Sequence, residues 1–482
     1  MSRRIIGPFN RVEGDLEITL DTEDGRVRAA YVNSPMYRGF EQILLGKNPL
    51  DALVYVPRIC GICSVAQSAA AAQALAAGMG LQVPQNGRLA ANLTLAAENL
   101  ADHLSHFYLF FMPDFAREGY RNRAWFTDAE WRFKAVSGTA AADMLPVRAK
   151  FMNIMGYLAG KWPHTLAVQP GGSSRPLEEA EKLRLKMLLA EFRSFLENTL
   201  FGDKLAAVAA LDSEAALMAW MAPRMHRADL PRFLNIARDL ELERVGRATD
   251  RFISYGAYAG ETTSLFAAGL WSENNLHTLD ISAIHEDVAS SWMAGEIALA
   301  PDVGRTTPQP DKQDAYSWCK APRLSGRVVE TGALARQMVA GHPLLHDLVG
   351  RHGASVTARV VARMLELALV LPAMENWLCQ IQPGAQFCLP VSDIDEIRGV
   401  GLIEAARGSL GHWLDVRQGK IANYQIIAPT TWNFSPRDAA GEPGALEQAL
   451  VGLKVDENEN SAPMIVQHVV RSFDPCMVCT VH

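Results

Sequence analysis

Two pairs of cysteines, one near each end, restrict how this 482-residue chain can fold. Cys60 and Cys63 are separated by two residues, as are Cys476 and Cys479, and 412 residues lie between the pairs. A single tight turn brings two cysteines at this spacing together, so that both sulfurs can bind one ion. Because the chain has only seven cysteines, two such pairs predict a metal site with four thiolate ligands.

The residue types leave several kinds of cysteine site open: a functional metal centre, a structural zinc, an iron–sulfur cluster or a redox dithiol. A structural zinc usually closes a short loop in a domain with little core, whereas this chain is 49% hydrophobic. A thioredoxin-like dithiol would use one pair and leave the other idle. Soft thiolates exclude magnesium and calcium as the ion held by these sulfurs, and nickel, iron, zinc and copper remain.

Composition and charge favour a soluble, cytoplasmic protein. The net charge of −7 argues against nucleic acid as the main partner, because phosphate binding needs basic patches. Arg3 and Arg4 are not followed by an apolar run, so we expect no signal peptide. No stretch approaches the roughly 18 uncharged apolar residues of a membrane span. Few cysteines for this length also argue against a secreted disulfide scaffold.

Hydrophobic spacing predicts a mainly helical α+β fold, a large central helix bundle with peripheral β-hairpins and sheets. Alternation on both sides of Asp24-Gly25 predicts a hairpin, and a buried central helix is predicted over His352–Gln380. We predict one domain over 1–482, with a β region at about 1–40 and a helical core at about 50–380. A C-terminal region of strands, loops and metal ligands follows at about 383–482, and its charged run Asp456–Asn460 should be solvated.

Six short segments identify a family. Two of them contain the cysteine pairs, Arg58–Cys63 and Asp474–His482. The others, in chain order, are Arg11–Gly14, Arg38–Glu41, Lys320–Arg323 and Pro429–Asn433. Together they resemble the motifs of the large subunit of nickel–iron hydrogenases, and the resemblance spans the whole chain. It implies the fold of that subunit and an oxidoreductase that binds and oxidises H2.

The resemblance also implies the metal centre. Cys60 and Cys476 match terminal nickel ligands. Cys63 and Cys479 match ligands that bridge nickel to an iron carrying one carbon monoxide and two cyanides. No role matches the remaining cysteines, which we expect to be small buried residues: Cys319, Cys379 and Cys388.

Further residues match the surroundings of that centre. Cys476 would accept the proton of H2, and Glu13 would carry it outward, a role that suits a carboxyl with a pKa raised by burial. Arg407 matches an arginine over the metals, and a buried guanidinium needs counter-charges, which Asp114 and Asp474 would supply. Two further sites are matched: a cyanide pocket by Pro429 and Thr430, and a buried Mg²⁺ or Fe²⁺ by Glu41 and His482. A chain ending at His482 fits a processed subunit.

Several positions depart from the common family pattern. Gln67 replaces a histidine, so the residue can still donate to a sulfur but cannot titrate. Asp15 and Ala406 also differ. Ile62 and Phe110 are bulkier than the usual valine and leucine, which suggests a narrowed gas channel, although a repacked helix interface would also explain them. This combination resembles the cytoplasmic regulatory hydrogenases, which sense H2 at low turnover and signal to a histidine kinase.

The chain lacks the cysteine spacing for an electron-transfer chain, so the resemblance implies a heterodimer with a small subunit that holds [4Fe-4S] clusters. Maturation proteins would insert the metals. The main alternative is a cytoplasmic uptake hydrogenase that feeds electrons to metabolism. A hydrogenase-like subunit of quinone-reducing complexes would lack the metal cysteines, and a structural zinc protein remains a further rival.

Overall fold

The computed structural model describes residues 2–455, 463–480 and 482, so the charged run Asp456–Asn460 lies outside the described residues. The chain begins with an antiparallel sheet of β1 (Ser2–Ile6), β2 (Glu17–Glu23) and β3 (Arg26–Asn33). Asp24 and Gly25 connect β2 to β3, both with positive φ, as a tight turn between right-twisted strands requires. The hairpin prediction is confirmed.

Helices dominate the middle of the chain, as predicted. Those before residue 250 are α1 (Phe40–Leu44), α2 (Ala52–Tyr55), α3 (Ser64–Met79), α4 (Gln85–Ser105), α5 (Phe126–Phe133), α6 (Thr139–Phe151), α7 (Asn153–Ala159), α8 (Glu179–Phe195), α9 (Leu205–Ala209), α10 (Glu214–Met221) and α11 (Asp229–Asp239). A π-helical segment, His106–Phe111, directly follows α4. Such segments are rare and frequent at functional sites.

Small sheets and further helices complete the fold. The strands are β4 (Val168–Gln169), β5 (Gly172–Ser173), β6 (Phe252–Ala259), β7 (Ser264–Ser272), β8 (Asn275–His277), β9 (Ile284–Asp287), β10 (Ala321–Leu324), β11 (Ile397–Ala405), β12 (Gly408–Arg417) and β13 (Lys420–Ile427). The helices are α12 (Ala333–Ala340), α13 (Pro343–His352), α14 (Val356–Gln380), α15 (Pro429–Asn433), α16 (Ala445–Leu450), α17 (Met464–Ser472) and α18 (Met477–Thr480). The α+β fold class is therefore confirmed.

The central helix α14 is buried along most of its length and packs against α4. Its predicted start at His352 is wrong, because Gly353 interrupts the helix with a φ of 76°. Ser355 then caps α14 by accepting a hydrogen bond from the Ala358 N–H. Most buried apolar side chains form one continuous cluster. This shared core supports the single domain, which stays a prediction.

Helix α3 lies directly on the antiparallel sheet β11-β12-β13. Two glycines of β11 allow this close approach: a Cβ atom on Gly399 or Gly401 would lie 1.9 Å from a carbonyl oxygen of α3. The sheet and helix therefore hold the residues after Cys63 against the C-terminal third of the chain. None of the helices in the described ranges is both long and apolar enough to cross a bilayer.

Candidate metal centre

The four paired cysteines meet in the interior. All are buried and free, and their sulfurs lie within 4.8 Å of one another. The Sγ–Sγ distances are 3.4 Å from Cys60 to Cys476, 3.2 Å from Cys63 to Cys479 and 3.1 Å from Cys476 to Cys479. Hydrogen bonds within the cluster raise the pKa of both Cys63 and Cys479, and the bond with Cys476 has the largest effect on each. Four sulfurs at this distance cannot all ionise unless a cation is bound between them.

Backbone contacts join the two ends of the chain at this cluster. Glu13 forms a parallel β-bridge with Cys476, and the Met477 N–H donates to the Glu13 carbonyl oxygen at 2.7 Å. A Cβ atom on Gly14 would lie 3.0 Å from the backbone nitrogen of Val478, so only glycine lets the two segments approach this closely. This requirement explains the glycine of the Arg11–Gly14 motif.

A buried carboxyl group that the sequence analysis missed, Glu98 on α4, supports the other cysteine pair. It accepts hydrogen bonds from the Val65 and Ala66 N–H groups, each at 2.9 Å, and so satisfies the N-terminus of α3 just after Cys63. Trp162 donates to it at 2.9 Å. Burial raises the pKa of Glu98 to about 7. Glu98 lies within a helix and outside the segments that contain the cysteine pairs, so no sequence motif indicated its role.

Arg407 lies beside the sulfurs and is held by two carboxyl groups. Its Nη2 donates to Asp102 Oδ1 at 3.1 Å and to Asp474 Oδ1 at 3.2 Å, and its Nε donates to the Asp474 carbonyl oxygen at 3.0 Å. Burial alone would lower the pKa of Arg407, but Asp102 and Asp474 raise it, so the guanidinium stays charged. Its Nη1 has no hydrogen-bond partner among the described residues.

The predicted contact between Asp114 and Arg407 is wrong, because Asp102 occupies that place. Asp114 lies beyond the π-helical segment, where Arg11, Arg117 and Arg471 surround its carboxylate. The contact to Arg471 measures 2.5 Å. Burial would raise the pKa of Asp114, but these cations lower it, and Arg471 contributes most. Asp114 therefore stabilises the joint between the N-terminal loop and α17.

Pro429 and Thr430 lie in the first turn of α15, against the C-terminal cysteine segment. The Cys476 N–H donates to Thr430 Oγ1 at 3.1 Å, which leaves the hydroxyl proton of Thr430 available to another acceptor. The hydroxyl of Thr431 is buried and unpaired within the described part of the chain.

The unpaired nitrogen of Arg407 and the hydroxyl proton of Thr430 fit the implied cofactor. Among the described residues Arg407 Nη1 is a buried donor without an acceptor, and leaving such a group unpaired costs about 1–3 kcal/mol. Diatomic ligands with a basic nitrogen, such as cyanide, would provide acceptors. Soft sulfurs on one side and hydrogen-bond donors on the other are the surroundings that a nickel–iron pair with such ligands requires.

Glu13 is half-buried, with its backbone against Cys476. Burial raises the pKa of its carboxyl group, and the charge of Cys60 adds to this effect, while Arg407 and Arg38 oppose it. The carboxyl group therefore lies close enough to the sulfurs and to Arg407 for their charges to act on it.

A second cluster of polar residues surrounds Glu41 and His482. His482 Nδ1 lies 2.7 Å from the Cys479 carbonyl oxygen, and since a carbonyl only accepts, Nδ1 carries a proton. Nε2 then faces Glu41 Oε1 at 3.2 Å. Lys320 lies 2.8 Å from Glu286 and 3.5 Å from Glu41, so one ammonium group faces two carboxylates. The remaining negative charge, and a ring nitrogen without a proton that faces Glu41, fit a divalent cation.

The other predicted positions lie as follows. Gln67 is buried in the first turn of α3, where its amide oxygen contacts His412. Ile62, between the two cysteines, and Phe110, in the π-helical segment, are both partly buried, and their role in a gas channel stays a prediction. Cys319 is buried as expected, whereas Cys388 is partly exposed and Cys379, at the end of α14, is exposed.

Comparisons with known proteins show the family of this chain. The family model for nickel-dependent hydrogenase matches residues 38–117 and 114–482. The periplasmic [NiFeSe] hydrogenase large subunit of Desulfomicrobium baculatum is 31% identical, over 99% of this chain and 94% of that protein. The Hydrogenase-2 large chain of Escherichia coli K12 is 28% identical, over 100% of this chain and 97% of that protein.

Solved structures agree as well. The reduced Ni-Fe-Se hydrogenase from D. vulgaris Hildenborough superposes with a TM-score of 0.85 at 31% identity, over 100% of both chains. The predicted enzyme class and the large-subunit fold are thus confirmed. The chain belongs to the nickel-dependent hydrogenase family.

Proposed function

We propose that the four clustered cysteines hold a nickel–iron centre at which H2 is cleaved heterolytically, so that each H2 yields two protons and an electron pair. By family resemblance, Cys60 and Cys476 would hold the nickel, and Cys63 and Cys479 would hold both the nickel and an iron with carbon monoxide and cyanide ligands. The convergence of four buried sulfurs from both chain ends carries this proposal. When bound, the centre supplies the Lewis acid that polarises H2 and takes up its electrons.

The surrounding residues complete the chemistry. The pocket is buried, so water is largely excluded and the charge of Arg407 acts in a low dielectric. Arg407, held by Asp474 and Asp102, donates from its unpaired Nη1 to a cyanide and stabilises developing negative charge. Pro429 and Thr430 would lie beside a second cyanide, to which the hydroxyl proton of Thr430 could be donated, because the Thr430 oxygen already accepts from the Cys476 N–H.

Each proton of H2 leaves through this chain's own groups. The Cys476 sulfur accepts it first, because the β-bridge to Glu13 brings a carboxyl-bearing residue next to that cysteine. Glu13 then takes the proton and passes it outward. A carboxyl group whose pKa is raised by burial exchanges protons near neutral pH better than an exposed one.

The cluster around Glu41 and His482 binds a Mg²⁺ or Fe²⁺ ion in this proposal. His482 is three residues from Cys479 and bonded to its carbonyl oxygen, so a cation there stabilises the conformation of the C-terminal metal ligands. Its role is structural, because it holds the last residue of the cysteine segment in place.

Electrons leave through a small subunit with [4Fe-4S] clusters, which docks beside Cys60. Exposed apolar side chains in the preceding segment support this docking surface: Ile43, Leu45, Leu50 and Val54. Exposed apolar groups close together mark interaction sites on soluble proteins. Maturation proteins insert the metals before the heterodimer forms.

The chain further acts as a cytoplasmic H2 sensor at low turnover, in complex with a histidine kinase. The departures at Asp15, Ile62, Gln67, Phe110 and Ala406 support the sensor role. The alternative is an uptake hydrogenase, and the names of the two relatives described above favour it, since neither is called a sensor and one is called periplasmic. Fast, sustained dye reduction by the purified heterodimer would favour uptake, whereas slow reduction together with kinase binding would favour sensing.

A double variant with Ile62→Val and Phe110→Leu should have a higher turnover than the parent and should be sensitive to oxygen. The smaller side chains remove bulk at the predicted gas channel, so dioxygen would reach the metals more easily. H2-driven dye reduction before and after exposure to air measures both effects. Ile62→Leu conserves volume and should retain the parental behaviour. A double variant as resistant to oxygen as its parent would show that these residues are no gate.

An infrared spectrum of the purified heterodimer tests the metal centre directly. We expect bands from one carbon monoxide and two cyanides bound to iron, and shifts of these bands when H2 is added. Metal analysis of the same sample should find nickel and iron. Zinc alone, with no such bands, would instead establish the structural zinc protein.

A further inference from the structure

A buried chain of hydrogen bonds runs from Gln67, four residues after Cys63, to β13. Gln67 Oε1 lies 2.9 Å from His412 Nε2, and His412 Nδ1 lies 2.8 Å from the Tyr424 hydroxyl. All three side chains are buried. Buried polar groups at such distances depend on each other for their hydrogen bonds, because water cannot replace a lost partner. The three residues therefore behave as one unit.

The packing of α3 on the sheet creates room for this unit. His412 on β12 is paired in register with Gly401 on β11. Side chains of directly paired residues lie on the same face of a sheet, and at Gly401 that face presses against α3. Because Gly401 has no side chain, the imidazole beside it can reach across to Gln67. The fold thus places His412 next to Gln67.

The direction of the hydrogen bonds follows from the available protons. Burial lowers the pKa of His412 to about 3 and raises the pKa of Tyr424, so both groups are neutral. Within the described residues, the hydroxyl of Tyr424 contacts only His412 as a side-chain partner, so it donates to Nδ1. The ring proton then lies on Nε2 and donates to the amide oxygen of Gln67.

The amide nitrogen of Gln67 is thereby directed away from His412. Helical side chains point towards the N-terminus of their helix, and Gln67 follows Cys63 by four residues, so its side chain covers the turn that carries Cys63. The Gln67 N–H also donates to the Cys63 carbonyl oxygen at 3.2 Å. An amide nitrogen on this side can donate to a sulfur, whereas an amide oxygen would repel a thiolate.

We propose that His412 is a positioning residue that holds the Gln67 carboxamide with its NH2 group towards the thiolates, in the tautomer that Tyr424 imposes. The inference rests on the metal centre proposed above. An N–H donor at a thiolate withdraws electron density from the metal, and the stretching frequencies of carbon monoxide and cyanide report that density. In this arrangement Tyr424 acts on the centre through two intervening side chains, those of His412 and Gln67.

The test is the infrared spectrum of heterodimers with His412→Leu, Gln67→Leu and both changes. We expect His412→Leu to shift the carbon monoxide band in the parent, because the amide can then rotate. The same change should cause no further shift once Gln67 is leucine. Trp413→Phe is the matched control, since Trp413 is the next residue of β12 and faces the other side of the sheet. It should leave the bands unchanged.

Tyr424→Phe provides a second test that preserves packing. Without the hydroxyl, both tautomers of His412 become available, and we expect a second set of carbon monoxide and cyanide bands. Parental bands in His412→Leu or in Tyr424→Phe would overturn the proposal. So would an equal shift by His412→Leu in both backgrounds, because the effect would then bypass Gln67. A parent without any such bands would instead overturn the metal centre, and this proposal with it.

Discussion

Replacing Cys479 by serine should eliminate nickel and iron from the purified heterodimer and reduce H2-driven dye reduction to background. Cys479 lies 3.1 Å from Cys476 and 3.2 Å from Cys63 and is buried, so no other ligand can take its place. A serine hydroxyl is a hard donor that stays protonated, and it cannot bind a soft metal as a bridging thiolate does. Metal analysis and the infrared spectrum check the result together.

Cys379→Ser is the matched control for the loss of a thiol. Cys379 is exposed at the end of α14 and takes no part in the cluster, so metal content and activity should equal those of the parent. Retention of both metals by Cys479→Ser would contradict the assignment of the four sulfurs, even if activity fell. Loss of metals in both variants would indicate a general defect in assembly.

Glu13→Gln should lower the rate of dye reduction by about 10²–10⁴-fold, the usual contribution of a positioned acid or base. The amide keeps the size of the side chain and the backbone contacts to Cys476 and Met477, but it cannot carry a proton. The carbon monoxide and cyanide bands should remain, and H2 should still shift them. The defect would therefore lie in proton removal, which exchange between H2 and deuterated water measures separately.

Asp15→Asn controls for the loss of a negative charge in the same loop. Asp15 is exposed and follows Glu13 by two residues, so its removal should leave both the dye assay and the exchange assay unchanged. Near-parental exchange in Glu13→Gln would show that the proton leaves by another route. A loss of the infrared bands in that variant would show instead that Glu13 is needed for assembly.

The sequence pattern predicted correctly those helices and turns that depend on neighbouring residues alone. The Asp24-Gly25 turn and the burial of α14 follow from neighbouring residues alone, and both are present. The start of α14 was misjudged because the apolar spacing runs through Gly353, and the positive φ of that glycine overrides the spacing. Similarly, the segment after Ser105 continues the helical pattern but winds as a π-helix.

The candidate site was predicted with different success for different residues. The cysteine pairs carry their own signal, because few other arrangements use that spacing. Glu98 carries none, since a carboxyl group within a helix is usually solvated, and only the approach of α3 makes it a buried cap. His412 likewise gains its contact with Gln67 from the empty face of Gly401.

The sequence alone determines which chemical groups this chain can use: the four soft sulfurs of the cysteine pairs, the carboxyl group of the Arg11–Gly14 motif, and an arginine. Only the tertiary structure decides which groups act together. Asp102 and Arg407 are 305 positions apart, and no local pattern distinguishes Asp102 from Asp114 as the partner. Spacing describes residues within a turn or two, whereas the energy of an ion pair depends on a distance that the packing of remote segments sets.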